Sequence, residues 1–435
     1  MKKAAEKTKK PCSGLLTLEM LFFFLCFTML GIQGFDTPVS EEGYVTFVLW
    51  KFKDGAWLAF ALAFVVPVLL YLTVRLTPRF FPGDTLLLCL TGFLCALGIL
   101  VLFRIDHSKG LTQIFHYLVG LAAMVLTAQG VRLIRGWLVP CILLMAVSAA
   151  LLALPIVKGQ EINGAKNWVS IGGFGFQPSE IVKLCLLIVL ARLLSERRIL
   201  WAVLYLGMTL GFLFLQKDLG TALIYFGVGL VLLYASCGSL LMVGGTLACG
   251  AGAAVFAVNK LSYVQSRITV WLDPWSDYYG KGYQVANALF AFVNGGLFGV
   301  GLGLGNAVSI PESHNDFIFP VILNEFGALF GAGVLAIFLF IVLKAVMLAR
   351  RSSDGFLSLL ALGCGGLLAL QTFVIIGGNL KLIPLTGVTL PFISYGGTSL
   401  VSSLCVIGMV QGVAAANQMR IQQDRHMAMM AEEEK

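Results

Sequence analysis

GYQVANALFAFVNGGLFGVGLGLGNAVSIPESHNDFIFPVILNE, residues 282–325, decides how the rest of the chain is read. It opens as an amphipathic segment and then passes through a glycine-dense run that cannot be a stable helix. It ends in a polar knot, PESHND at 311–316, directly abutting a long apolar helix. Asp316 therefore sits where water meets hydrocarbon. Backbone that is not helical at such a depth must be buried in protein or line a polar cavity, because hydrocarbon cannot satisfy free peptide groups. A glycine-rich loop feeding a membrane helix is thus a candidate site.

Composition agrees with a membrane setting. Of the 435 residues, 58% are hydrophobic and only 12% charged, far from the balance of a soluble domain. Apolar runs fall at about 14–33, 56–76, 85–103, 112–130, 137–157, 179–194, 199–215, 219–236, 238–258, 317–345, 356–378 and 395–416. Most have the length that crosses a hydrocarbon core of about 30 Å as a helix, and barrel strands would be short and alternating instead. The expected fold is all-α and polytopic, about twelve transmembrane helices in one membrane domain without internal repeat, with a large external loop between helices 9 and 10. The start, MKKAAEKTKK, reads as a cytoplasmic basic tail before a retained first helix rather than a cleaved signal.

Charge orients the spans. Arg75 and Arg79, Arg132 and Arg135, Arg197 and Arg198, Arg350 and Arg351, and Arg420 and Arg425 all fall on one side. The positive-inside rule makes that side cytoplasmic, and both termini with it. The net charge of +8 is spread over alternate loops rather than gathered in a patch, which argues against nucleic acid. Left outside are segments near 36–57, 104–110 (RIDHSKG), 158–177, 216–218, 260–316 and 379–394, which hold every unusual polar motif. They or the adjoining helix ends retain Lys166, Lys183, Lys217, Arg267, Lys281 and Lys381, through either an anionic ligand or ordinary scatter. The ten cysteines lie mostly within apolar runs, with no C-x-x-C pair, and read as packing residues.

Each polar motif has two readings. Glu180 and Lys183, at i and i+3 after Gln177-Pro178-Ser179, share one helix face about a turn into the membrane. There they pair for stability alone or to tune a ligand cavity. Asp218 in QKDLGTA caps the following helix or contributes to a site. The aromatics of Trp271-Leu272-Asp273-Pro274-Trp275 form an interfacial belt, with Asp273 and Asp277 solvated. Asn315 or Asp316 is the N-cap of the tenth span, or Asp316 is functional; His314 reads as a solvated loop residue. Glu325 lies about 14 Å beyond Asp316 on the same helix and needs a partner. Gly387 to Ser399, GVTLPFISYGGTS, packs helices closely or walls a cavity. The sequence contains no H-E-x-x-H, G-x-S-x-G or P-loop, so ATP-driven transport is not indicated.

Taken in order, NGAKNWVSIGGFGFQPSEIVK, QKDLGTA, GYQ…GGLFGVGLG…PESHNDFIF…NEFG and GVTLPFISYGGTS resemble the SEDS family (shape, elongation, division and sporulation), the RodA, FtsW and SpoVE group. The resemblance divides the chain into a tail with two extra helices (1–83), a ten-helix core (84–416) and a C-terminal cytoplasmic tail (417–435). It implies a peptidoglycan glycosyltransferase that polymerises lipid II at the outer face of the cytoplasmic membrane, releasing undecaprenyl diphosphate, in complex with a class B penicillin-binding transpeptidase. It places the family's essential aspartate on Asp316 and its helix ion pair on Glu180 and Lys183. The substrate-binding candidates are Lys166, Trp168, Glu180, Lys183, Lys217, Asp218, His314 and Ser394. Asp316 is then the base for the acceptor hydroxyl, with its carboxylate kept ionised by the helix N-terminus. Lys183 and Lys166 are candidates for the leaving diphosphate, with a divalent cation as a candidate helper and no metal ligand set of the protein's own. Asn315 replaces the family's usual threonine, and Asn167 its usual arginine. The rival readings are a lipid II flippase and a non-catalytic scaffold of the cell-wall machinery.

Overall fold

The structure, a computed structural model, describes residues 10–33, 56–133, 139–162, 165–171, 174–306 and 309–433. The first nine residues of the basic tail, most of the segment at 36–57, and Arg135 lie outside the described residues. Each of the twelve apolar runs is a helix. They are α1 (Lys10–Gln33), α2 (Ala56–Phe80), α3 (Thr85–Ile105), α4 (His107–Leu133), α5 (Val139–Lys158), α6 (Pro178–Ser195), α7 (Ile199–Leu215), α8 (Leu219–Cys237) and α9 (Leu240–Lys260), then α12 (Ile318–Arg351), α13 (Gly355–Asn379) and α14 (Gly397–Glu433). Ten of them are long and apolar enough to cross a membrane. The others are α6, which carries Glu180, Lys183 and Arg192, and α7, which has seventeen residues.

The centre of the bundle is built on α3 and α14, whose membrane windows are 89% and 94% buried, while α9 at 6% is peripheral. Helix α14 lies against α4 so closely that a Cβ on Gly408 would come within 2.5 Å of the Met124 carbonyl oxygen. Small residues at such a crossing let dispersion contacts build up where hydrophobic exclusion gives no drive. Cys249, read above as a packing residue, is instead exposed on α9.

Two segments read above as external loops carry more structure than that reading gives them. Residues 158–177 contain an antiparallel sheet of β1 (Gln160–Ile162), β2 (Ala165–Ile171) and β3 (Phe174–Phe176), in the order β1-β2-β3. The fold is therefore helical with one small sheet. Strands β1 and β3 have three residues each, too short to leave a clear period in the sequence. The long loop before Asp316 holds α10 (Ser262–Leu272) and α11 (Tyr283–Gly295). Helix α11 turns Val285, Ala286, Ala288, Ala291 and Gly295 inward, and leaves Phe290 and Val293 exposed.

Helix α12 is not continuous. Gly327 has φ 85° and ψ 171°, which breaks the helical bonding just after Glu325. The glycine run replaces what the break removes. Val300 N–H donates to Asn324 O (2.9 Å) and Gly301 N–H to Glu325 O (3.0 Å), while Ala328 N–H donates to Gly296 O (2.9 Å) and Leu329 N–H to Leu297 O (3.1 Å). A Cβ on Gly327 would meet Gly299 N at 2.4 Å, so the close approach requires glycine. Irregular backbone at membrane depth is satisfied by protein, as hydrocarbon demands.

Candidate active site

Asp316 does not cap α12. The cap position is Phe317, with no side-chain hydrogen bond, so the carboxylate is left for other contacts. The knot is instead folded on itself and on the hydroxyl-rich turn. Asn315 Nδ2 donates to Glu312 Oε2 (2.7 Å), Ser394 Oγ donates to Asn315 O (2.7 Å), and Tyr395 N–H donates to His314 O (2.9 Å). Ser394 Oγ also accepts from Leu390 N–H (2.9 Å), so this buried hydroxyl ties the turn to the knot. Gly387, at φ 71°, completes the wall, since a Cβ there would lie 3.4 Å from Asp316 Oδ2.

The result is a cavity of about 250 Å³ lined by Asp316, Glu312, Arg267, Lys281, Lys381 and Trp271, among others. Arg267 Nη1 donates to Thr386 O (3.0 Å), Trp271 Nε1 to Lys381 O (3.0 Å) and Lys381 Nζ to Leu272 O (3.2 Å), so α10 and the segment after α13 hold each other. Three cations and two carboxylates face one space. Burial pushes the Asp316 carboxyl up from 3.8 to about 7, Glu312 adds to the rise, and Arg267 opposes it. Burial therefore favours the neutral form of this group, in the direction opposite to the one expected from a helix N-terminus. His314 is half-buried rather than solvated, against Tyr395 at 5.9 Å between ring centroids. Burial first, then the Lys109 charge, lowers its pKa below the usual histidine value, and Glu312 and Asp106 oppose the drop.

The other candidates fall into two further groups. Lys183 Nζ is 2.5 Å from Glu180 Oε2, and Ser402 Oγ donates to the same oxygen. The pair expected from the i, i+3 spacing is formed, buried among α6 and α14, and does not line the Asp316 cavity. Asp218 caps α8 by accepting from Thr221 N–H (3.2 Å) and also accepts from Asn167 Nδ2 (3.1 Å) and Gln177 Nε2 (3.0 Å). Asn167, where the family pattern carries arginine, thus ties β2 to the start of α8. Lys166 N–H donates to Gln216 O (3.0 Å), but its side chain and that of Lys217 are exposed, and Trp168 packs beside Gly175 of the sheet. Of the predicted residues, the structure brings Asp316, His314 and Ser394 together; the cations beside them are Arg267, Lys281 and Lys381. Those three stand out in the sequence only as basic residues kept on the outer side.

A family model for the FtsW/RodA/SpoVE cell cycle proteins matches residues 84–419. The chain belongs to that family. Among FtsW/RodA/SpoVE relatives, the peptidoglycan glycosyltransferase RodA of Mycobacterium tuberculosis is 32% identical over 374 residues, covering 77% of this chain and 79% of the relative. Stage V sporulation protein E of Bacillus subtilis is 33% identical over 293 residues, 62% of this chain and 78% of that one. The solved structure of the rod shape determining protein RodA of Thermus thermophilus superimposes with a TM-score of 0.59 at 28% identity, covering 78% of this chain and 98% of that chain. A chain from a peptidoglycan synthase complex, described as coordinating polymerization and crosslinking, gives 0.65 at 29% identity, with 77% and 98% covered. The FtsW/RodA/SpoVE match begins at Asp84, the cap of α3, so α1 and α2 lie outside it.

Proposed function

We infer that this chain is a peptidoglycan glycosyltransferase that polymerises lipid II with Asp316 as its general base. The observation that carries the reading is the single cavity in which a carboxyl of pKa about 7 faces Arg267, Lys281 and Lys381. A base works best when its pKa lies near the working pH, because it is then both free of its proton and able to hold one. Asp316 accepts the proton as the acceptor hydroxyl oxygen forms a bond to the donor's anomeric carbon. The bond from that carbon to the diphosphate oxygen breaks, and undecaprenyl diphosphate leaves with the electron pair. Fixed cations in a partly dried space stabilise the charge that appears on that diphosphate. This gives Arg267, Lys281 and Lys381 the role assigned from sequence to Lys183 and Lys166.

A Mg²⁺ shared with substrate phosphates takes one or two protein carboxylates. Glu312, the other carboxylate of the cavity, fits that demand and would hold such an ion, leaving Asp316 free to take the proton. It would supply further positive charge to the diphosphate. A flippase needs free polar groups along a path. Here Glu180 is paired with Lys183 and Glu325 with Arg104 (3.3 Å), which favours the polymerase. Supporting a transpeptidase partner is the likeness to a chain of a synthase complex that couples polymerization to crosslinking. Both termini are cytoplasmic on this reading, from the arginine pairs at one end of the spans.

The test is glycan synthesis by the purified chain from lipid II, with and without a class B transpeptidase. Asp316→Asn should insert normally and bind the partner, with polymerisation reduced by about 10²-fold or more. Near-normal polymer from that variant would refute the assignment of the base.

A further inference from the structure

Helices α1 and α2 lie outside the family match, and their role is legible in the contacts that α1 makes. Phe22, midway along α1, stacks on Phe330 at 5.9 Å between ring centroids and lies 6.5 Å from Phe326. Phe326 and Phe330 stack on each other at 4.6 Å. These two rings flank Gly327, so one residue of α1 bears on both sides of the break in α12. Farther along α1, about 16 Å at 1.5 Å per residue, Gln33 Nε2 donates to Leu302 O at 2.7 Å. Beside that bond, Arg104 donates to Gly303 O (2.8 Å), and Gly303 N–H donates to Glu325 Oε2 (3.2 Å). Most of α1 packs on α2 and α3, as through Phe22 on Phe93 (5.9 Å) and Phe27 on Phe103 (6.0 Å), but these two further contacts fall on the same device: the break, and the glycine loop that satisfies it.

The part of α12 ahead of the break runs on almost directly from Asp316. Residues 318–325 are all buried, tied at one end by Ser394 to Asn315 O and at the other by Arg104 and the glycine loop. Two turns of helix have almost no stability of their own, so outside contacts must set their orientation. We propose that α1 is a brace for the segment adjoining Asp316, with Phe22 and Gln33 as positioning residues that hold the hinge at Gly327 and the glycine loop in one arrangement. The proposal rests on Asp316 being the base. A displacement of about 1 Å at a reacting group can cost 10²-fold in rate, which is why a contact remote from the cavity matters.

The experiment uses the full chain in lipid nanodiscs carrying Gln33→Leu or Phe22→Ala, with two readouts. Amide hydrogen exchange over 295–306 and 318–330, measured without substrate, should become severalfold faster, while exchange in α13 stays unchanged. Polymerisation of lipid II should lose about fivefold in kcat for Gln33→Leu, the worth of one net hydrogen bond, at nearly constant KM. Gln33→Lys keeps a donor in reach of Leu302 O and should restore both. Gln33 is exposed, so its variants decide the matter should Phe22→Ala fail to fold. Unchanged exchange over both windows in Gln33→Leu overturns the brace, whatever the rates do. Faster exchange with unchanged kcat overturns the positioning role. Failure of the unsubstituted chain to polymerise lipid II would instead strike the glycosyltransferase reading, and the exchange arm would still decide whether α1 braces the segment.

Discussion

On the proposed reading, ionising Asp316 is required for its chemistry and costly to the fold, and a pH series on Asp316→Asn measures that cost. Burial raises the carboxyl from 3.8 to about 7. Because the folded-state value lies above the unfolded one, the folded chain holds the proton more tightly. That stabilisation is complete below the unfolded pKa and is lost as pH rises through about 7. Between pH 5 and 8 the loss spans about two units, ~2.7 kcal/mol at 1.36 kcal/mol per unit. The group lines a cavity that water can enter, and screening there reduces the figure to about half, ~1.3 kcal/mol. Asparagine does not titrate, so Asp316→Asn should gain on the parent by that amount as pH rises from 5 to 8. Thermal unfolding in a single detergent, followed by tryptophan fluorescence, should show a relative shift of about 2 °C. Polymerisation by the parent chain should climb over the same window, half-maximal near pH 7. A melting difference that stays flat from pH 5 to 8 would refute the raised value and the partial loss of water that explains it.

Arg267→Ala removes a charge from the cavity and the bond to Thr386 O; KM for lipid II should rise about tenfold, and the pH midpoint should move upward, since Arg267 opposes the rise at Asp316. An unchanged midpoint in initial-rate profiles would separate Arg267 from Asp316. Glu180→Gln alone strands Lys183 and should cost about 3–5 kcal/mol, whereas Glu180→Gln with Lys183→Met should recover most of it, checked by thermal melting of singles against the double. Topology is read from single cysteines in a cysteine-free background, labelled on intact cells with an impermeant thiol reagent. A cysteine at Ser276 should react and one at Ser352 should not.

Hydropathy made the spans legible because each crossing must meet the same length and polarity limits, whatever its neighbours. It could not show the break at Gly327, since a glycine inside an apolar run looks the same whether its φ is negative or positive. The Asp316 knot was legible because charge next to a glycine-rich loop at a membrane boundary is costly without a purpose. Its partners were not, because Arg267 and Lys381 are far away in sequence and meet Asp316 only through the packing of α10 against the segment after α13. The missing partner of Glu325 was foreseen as a need and answered by Arg104, a residue that sequence alone does not connect to it. The upward push on the Asp316 carboxyl was not legible for the same reason: a helix terminus is visible in sequence, while dehydration is a property of the assembled cavity.

The break in α12 also bears on bilayer thickness. As one rod its 34 residues would measure about 51 Å, far more than a hydrocarbon core of about 30 Å. Residues 328–351 alone come to about 36 Å, a length that fits with a tilt of about 34°, inside the observed range of roughly 0–40°. Tilting to suit a thinner or thicker membrane is then confined to the part beyond Gly327. The buried turns after Asp316 are fastened instead to the glycine loop and to the 390–395 turn, so protein contacts rather than bilayer thickness set their position.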